Sequence, residues 1–180
     1  KHLADFKLSM MIHTHRERQS HDTYREEISN LIDDWYQTFA SENTNMPVQY
    51  LSDEIEEFKK IYDNFAKTSK IPNLPKYDIE FRKSITKALN EIRRQIILFN
   101  ASSGRIPDID WDAGGVMSRI LIGGDGLDRG YTIPGLCVTY LPRRRAISVD
   151  TQQQRARFFG YRKRTLPYTK IYLPDDIIDA

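Results

Sequence analysis

The stretch "SRILIGGDGLDRGYTIPGLCVTYLP", residues 118–142, consists of two apolar runs joined by a loop, and it holds five of the nine glycines in the 180-residue chain. Neither run alternates between polar and apolar residues, which is typical of parallel strands covered on both faces. Glycine permits positive φ and close approach of the backbone. Glycines clustered directly after a strand therefore indicate a loop that lies against something other than the core.

Three more apolar runs predict further strands, and four stretches with helical spacing predict helices. The strand candidates are residues 8–14, 95–104 and 169–174, and the helix candidates are 22–39, 51–65, 81–92 and 151–159. We expect Ser20 or Asp22 to cap the first helix. The alternation predicts an α/β fold: a three-layer parallel sheet of about five strands, with a helical insertion between the first two strands. We expect a single domain over residues 1–180 that contains this insertion at 17–93.

Charge and cysteine content narrow the class of protein. The net charge is only +2, but residues 142–170 contain nine Lys or Arg and one acid, Asp150, which predicts a basic patch. Cys137 is the only cysteine, so an internal disulfide is excluded, and we expect a buried thiol in a cytoplasmic protein. No apolar run approaches the ~20 residues of a membrane span. Because the sequence begins at Lys1 without methionine, we expect a fragment.

Loops that leave the carboxyl ends of parallel strands gather at one edge of the sheet, where ligands bind. Residues 13–16, 100–104 and 123–130 should therefore line one crevice. The chain lacks GxxxxGK[ST], so it should not hold ATP by itself.

Metal chemistry is not indicated. The acids of "DEIE", residues 53–56, fall inside a helical pattern and are interpreted as a solvated helix face. His13, His15 and His21 are interpreted as strand-end and cap residues, and no [DE]xK triplet follows Asp108. We therefore predict no metal site in this chain.

The helix candidate at 151–159 offers arginines for phosphate. Gln153 and Arg157 are four residues apart and share a helix face, and Arg162 follows Gly160, where the helix should end. The planar guanidinium meets phosphate oxygens in a bidentate fashion. A solvated basic surface helix is an equal alternative on spacing alone.

Two segments resemble motifs of superfamily two helicases. "GGDGLDRGYTIP" resembles the fifth motif, close to ATDxAARGxDIP, through Asp125, Arg129, Gly130, Ile133 and Pro134. "QQRARFFGYR" is similar to the sixth motif, QxxGRxGR, through Gln153 and Arg157, with Arg162 displaced by two residues. The resemblance implies the second RecA-like lobe of a helicase.

The chain also resembles the Z-one domain family, which is named for a proposed endonuclease activity and occurs in bacterial restriction and phage-defence loci. Its patterns IGGxxLxRGxT and QMGRxFGYR are matched by these residues: Ile122, Gly123, Gly124, Leu127, Arg129, Gly130 and Thr132, then Gln154, Arg157, Phe159, Gly160, Tyr161 and Arg162. Arg155 and Ala156 stand where the family tends to have Met and Gly. This alignment places the glutamine at Gln154 rather than Gln153.

Together the resemblances imply the C-terminal motor lobe of a helicase-type DNA translocase ATPase. ATP and Mg would be held by a first RecA-like lobe that carries the phosphate-binding loop, and Arg157 and Arg162 would be the catalytic arginine fingers. DNA, this first lobe and other defence-system subunits are the implied partners. The implied nucleotide-binding residues are Gln153, Gln154, Asp128, Arg129, Gly130 and Thr132. The implied DNA-binding residues are Thr14, Asn100, Ser102, Gly124, Asp125, Arg143, Arg144, Lys163 and Arg164.

Two alternatives stay open. The chain could be a non-catalytic module that docks on DNA or protein, or part of a metal-dependent DNA endonuclease. In the second case its cutting centre should lie elsewhere in the intact protein.

Overall fold

A computed structural model describes residues 7–14, 18–41, 52–69, 71–99, 107–112, 116–124, 133–142 and 165–173. The elements in chain order are β1 (Leu8–His13), α1 (Arg18–Ser41), α2 (Asp53–Thr68), α3 (Ile79–Ile92), β2 (Ile96–Phe99), β3 (Ser118–Gly123), β4 (Leu136–Tyr140), a 3₁₀ helix (Leu166–Tyr168) and β5 (Lys170–Tyr172). The chain divides into two compact units: Lys1–Glu26 with Gln95–Ala180, and Glu27–Arg94. The domain boundaries expected from the sequence stay a prediction.

The five strands form one parallel sheet in the order β2-β3-β1-β4-β5. The predicted α/β fold is confirmed, with helices between the first two strands. β1 is central: its residues pair in register with β3 from Leu8 and Ser118 to His13 and Gly123. On its other edge β1 pairs with β4, after an irregularity between Ser9 and Met10.

Side chains alternate between the two faces of the sheet. Residues in register with Met11 lie on what we call the Met11 face, and residues in register with Ile12 lie on the Ile12 face. On the Met11 face a buried cluster forms around the side chains of Met11, Phe99, Leu121, Ile133 and Leu136, and Ile109 and Trp111 pack against it. On the Ile12 face Ile12 and Ile122 are also buried. The centre of the sheet is therefore covered on both faces, as predicted, and Cys137 is the expected buried thiol.

A tight turn leads into β4. The amide of Leu136 donates to the carbonyl of Ile133 at 3.3 Å, and Gly135 has φ +68°. Proline at the second position and a residue of positive φ at the third define a type II turn, for which glycine is preferred. The carbonyl of Gly135 also accepts a hydrogen bond from the amide of Ser9 at 2.7 Å. The turn therefore joins the beginnings of β1 and β4.

The first helix begins earlier than expected. α1 starts at Arg18, so Ser20 and Asp22 lie inside the helix and the prediction that either caps it was wrong. His21 lies within this added turn and is buried. The burial of His21 thus accompanies the longer helix.

The second unit is built on aromatic contacts. Phe58 of α2 contacts the rings of Trp35 and Phe39 of α1, with centroids 5.1 and 4.9 Å apart. The Tyr77 ring lies 5.7 Å from that of Phe81 in α3, and its hydroxyl donates to the carbonyl of Ile55 at 3.1 Å. Asp78 caps α3, since its carboxylate accepts a hydrogen bond from the amide of Phe81 at 3.0 Å.

Replacing Gly135 by alanine should destabilise the sheet unit severely. An added Cβ would lie 1.8 Å from the carbonyl oxygen of Lys7, and a positive φ is unfavourable for alanine. We expect the free energy of unfolding to fall by at least ~2 kcal/mol, measured by urea denaturation. Asn73, which has φ 58°, provides the control: Asn73→Gly should change stability by less than ~1 kcal/mol. If both substitutions change the free energy of unfolding equally, the turn does not require glycine at position 135.

Stability should fall at high pH because of Tyr77. Burial raises the pKa of its phenol from 10.0 to about 12, with smaller opposing effects of Arg82 and Asp63. Since the neutral phenol is favoured in the folded chain, this contribution is complete below pH 10.0 and is lost as the pH rises toward 12. Urea denaturation should therefore show a steeper loss of stability over this interval for the parent than for Tyr77→Phe. If the free energy of unfolding falls equally with pH in the two proteins, the burial of Tyr77 does not affect stability in this way.

Candidate functional site at the carboxyl edge of the sheet

The carboxyl ends of the strands lie almost level. Phe99 of β2, Gly123 of β3 and His13 of β1 occupy one row across the sheet. Tyr140 of β4 and Tyr172 of β5 occupy the row of Ile12, one residue earlier. The ladder extends past the strands, because the amide of Thr14 donates to the carbonyl of Gly123 at 2.9 Å. The segments that follow β1, β3 and β4 therefore leave from one edge.

The strand order places a topological switch at this edge. From β1 the chain continues to β2, two positions away on one side, whereas from β4 it continues to β5 on the other side. In open parallel sheets ligands bind in the crevice outside the carboxyl ends of strands where the connections diverge in this way. The crevice between the ends of β1 and β4 is therefore the candidate site.

Two of the predicted DNA-binding residues, Thr14 and Gly124, fall within the described chain. Both are at the carboxyl edge, and the hydrogen bond from Thr14 to Gly123 brings them together as neighbours. Both are buried, as is His13. A direct contact between the Thr14 side chain and DNA would therefore require the atoms that cover Thr14 to move. Its role in DNA binding stays a prediction.

The remaining predicted site residues lie outside the described residues. They are Asn100, Ser102, Asp125, Asp128, Arg129, Gly130, Thr132, Arg143, Arg144, Gln153, Gln154, Arg157, Arg162, Lys163 and Arg164. The structure does describe residues that flank the segments in which several of these site residues occur. Gly124 follows β3 and precedes residues 125–132, and Pro142 follows β4 and precedes residues 143–164.

One buried hydroxyl near the crevice has no hydrogen-bond partner in the part of the chain that the structure describes. Thr139 of β4 lies beside Met11 on the Met11 face and is only 1% exposed. Among the described residues its Oγ1 has no hydrogen-bond partner. A buried hydroxyl without a partner costs free energy, so we expect the Thr139 hydroxyl to weaken the sheet next to the candidate site.

Arg119 does not contribute to the site at the carboxyl edge. It is buried in β3, its Nη2 donates to the carbonyl of Asp110 at 2.7 Å, and its guanidinium lies 5.1 Å from the centroid of the Trp111 ring. Because these contacts hold the segment after β2 against the sheet, Arg119 has a structural role.

Sequence reasoning missed Tyr140 and Tyr172, which end β4 and β5 and are exposed at the carboxyl edge. Both occur inside apolar runs that were interpreted only as strands. Their position near the end of each run was the one available signal, since a strand end lies closest to the ligand edge.

The described residues contain no group of three or more His, Cys, Asp or Glu side chains suited to a metal ion. The acids of residues 53–56 lie in the first turn of α2, in the helical unit. No helix in the described part of the chain is long and apolar enough to cross a membrane.

An open parallel α/β sheet whose connections diverge at the ends of β1 and β4 defines the structural class of this protein. Comparison with known families identifies the particular one: the model of the Z1 domain matches residues 2–180. The chain therefore belongs to the Z1 domain family, written Z-one above, and the resemblance to that family is confirmed. No curated protein and no solved structure matches the chain.

Removing the unpartnered hydroxyl should stabilise the sheet unit. Thr139→Val keeps the shape of the side chain and should raise the free energy of unfolding by ~1 kcal/mol in urea denaturation. Thr86→Val is the matched control, because the Thr86 hydroxyl donates to the carbonyl of Arg82 at 3.2 Å. We expect the control to be neutral or destabilising. A loss of stability in Thr139→Val would show that the hydroxyl is satisfied in solution.

Proposed function

We propose that this Z1 domain is the second motor lobe of a DNA translocase ATPase. In this proposal the crevice between β1 and β4 faces ATP and Mg that are bound by a first RecA-like lobe. The chain alone then hydrolyses no ATP, since it lacks a phosphate-binding loop.

The observation that carries the proposal is the position of Gly124 and Pro142. Gly124 follows β3 on one side of β1, and Pro142 follows β4 on the other side, both at the carboxyl edge. They directly precede the two segments that carry the helicase-like motifs, residues 125–132 and 143–164. Two motifs that start on either side of one switch point are well situated to act on one ligand.

Arg157 and Arg162 are the proposed catalytic residues. A guanidinium near the γ-phosphate stabilises the charge that develops on the phosphoryl oxygens during transfer. Residues 125–130 would couple this step to DNA. The net positive charge of residues 142–170 supports contact with a phosphate backbone.

The proposal is tested with the complete polypeptide that contains this chain. Arg157→Ala should lower DNA-stimulated ATP hydrolysis by ~10³-fold, the effect typical of an arginine finger, without changing the circular dichroism spectrum. Arg25→Ala is the control, because Arg25 is an exposed arginine on α1. We expect the control to hydrolyse ATP like the parent.

A different result would favour the docking module. If Arg157→Ala weakens binding to DNA or to a partner protein while hydrolysis stays at the parent rate, the motor assignment is rejected. The domain would then bind the intact protein to DNA or to a partner rather than contribute to ATP hydrolysis.

A further inference from the structure

One row of side chains across the sheet passes from full burial to wide exposure. On the Ile12 face this row contains Ile122 of β3, Ile12 of β1, Tyr140 of β4 and Tyr172 of β5, in register. Their exposed fractions are 0%, 2%, 38% and 53%. On the Ile12 face this row is therefore buried at β3 and β1 and exposed at the ends of β4 and β5.

The opposite face differs at the same strands. On the Met11 face Thr139 of β4 is 1% exposed, and its neighbour in register on the edge strand, Ile171, is 50% exposed. The exposure of Tyr140 is therefore a property of one face and does not follow from nearness to the sheet edge alone. The open surface is formed by Tyr140 and Tyr172, which we call the tyrosine pair.

The register and exposure of the tyrosine pair suit base stacking. Neighbouring strands are about 4.8 Å apart, so two aromatic side chains in register present rings within reach of consecutive nucleotides. Bases stack on aromatic rings without regard to sequence, because every base has a flat π-face. Tyrosine suits such a position, since its hydroxyl tolerates water while its ring is available for contact.

The charge around the pair favours nucleic acid over an apolar partner. Lys170, two residues before Tyr172 on β5, shares the Ile12 face. From Tyr140 the sequence continues through Leu141 and Pro142 directly into Arg143, Arg144 and Arg145. A lysine on the same face as aromatic rings supplies the charge that contacts the backbone of a single strand while the rings contact its bases.

We propose that Tyr140 and Tyr172 form a binding site for the unpaired bases of single-stranded DNA. This inference rests on the proposed role of the chain on DNA, but it depends on different residues from the motor. It assigns the single strand to the Ile12 face, beside the crevice in which the motif segments begin.

The test measures the affinity of the complete polypeptide for fluorescein-labelled oligothymidylate by fluorescence anisotropy. Tyr140→Leu and Tyr172→Leu keep apolar bulk but lack a flat ring, and each should weaken binding about five-fold or more. Tyr140→Phe and Tyr172→Phe keep the ring and should bind like the parent. Ile171→Ala is the matched control, since Ile171 lies on the same strand with 50% exposure but on the opposite face. We expect its affinity to be unchanged.

An abasic oligonucleotide of the same length separates stacking from charge. If bases stack on the tyrosine pair, the parent and the leucine variants bind the abasic strand equally. Equal affinity of parent and leucine variants for oligothymidylate overturns the proposal. A change in oligomeric state or in binding to a partner protein, with affinity for the strand unchanged, also overturns it and makes the surface a protein interface.

The stacking site and the motor can fail independently. If the leucine variants bind oligothymidylate normally while Arg157→Ala abolishes hydrolysis, only the stacking site is rejected. If Arg157→Ala hydrolyses ATP normally while the leucine variants lose affinity, the stacking site stands and the motor is rejected. Thermal unfolding of each variant confirms that it is folded.

Discussion

The backbone pairing of β1 is the constraint on which the other described features of the sheet depend. β1 is hydrogen-bonded to β3 on one edge and to β4 on the other, and its ladder with β3 continues to the amide of Thr14. A slip of one residue would exchange the Met11 and Ile12 faces, because side chains alternate with a period of two. The buried cluster, the level strand ends and the crevice beside β1 all follow from this one register.

The beginning of β1 is held as firmly as its end. The carbonyl of Gly135 accepts a hydrogen bond from the amide of Ser9. The α-carbon of Gly135 lies so close to the backbone of Lys7 that no side chain fits there. The Ser9 hydroxyl also donates to the carbonyl of Pro134 at 2.9 Å. The turn before β4 thus positions two strands at once, which explains one of the five glycines in structural rather than functional terms.

The two faces of the β4–β5 region differ in which side chains they bury. One face buries the hydroxyl of Thr139, which has no hydrogen-bond partner among the described residues, whereas the other exposes two tyrosines in register. Burial of a polar group and exposure of large apolar groups both cost stability, and both occur beside the topological switch. Such departures from the best packing concentrate where a protein binds its ligands.

The sequence by itself determined where the five strands and the three helices of the described residues lie, apart from the start of α1, because a parallel strand covered on both faces requires an unbroken apolar run and a helix requires its own spacing. It also determined the basic stretch at residues 142–170 and the membership of the Z1 family. It did not determine the start of α1, which the structure places at Arg18, with His21 buried inside the added turn. Only the tertiary structure decided the strand order, the central position of β1 and the open Ile12 face beside Tyr140 and Tyr172. Pairing between strands joins residues that are distant in the sequence. An apolar run therefore indicates that a strand is buried, but it does not indicate which strands pair with it.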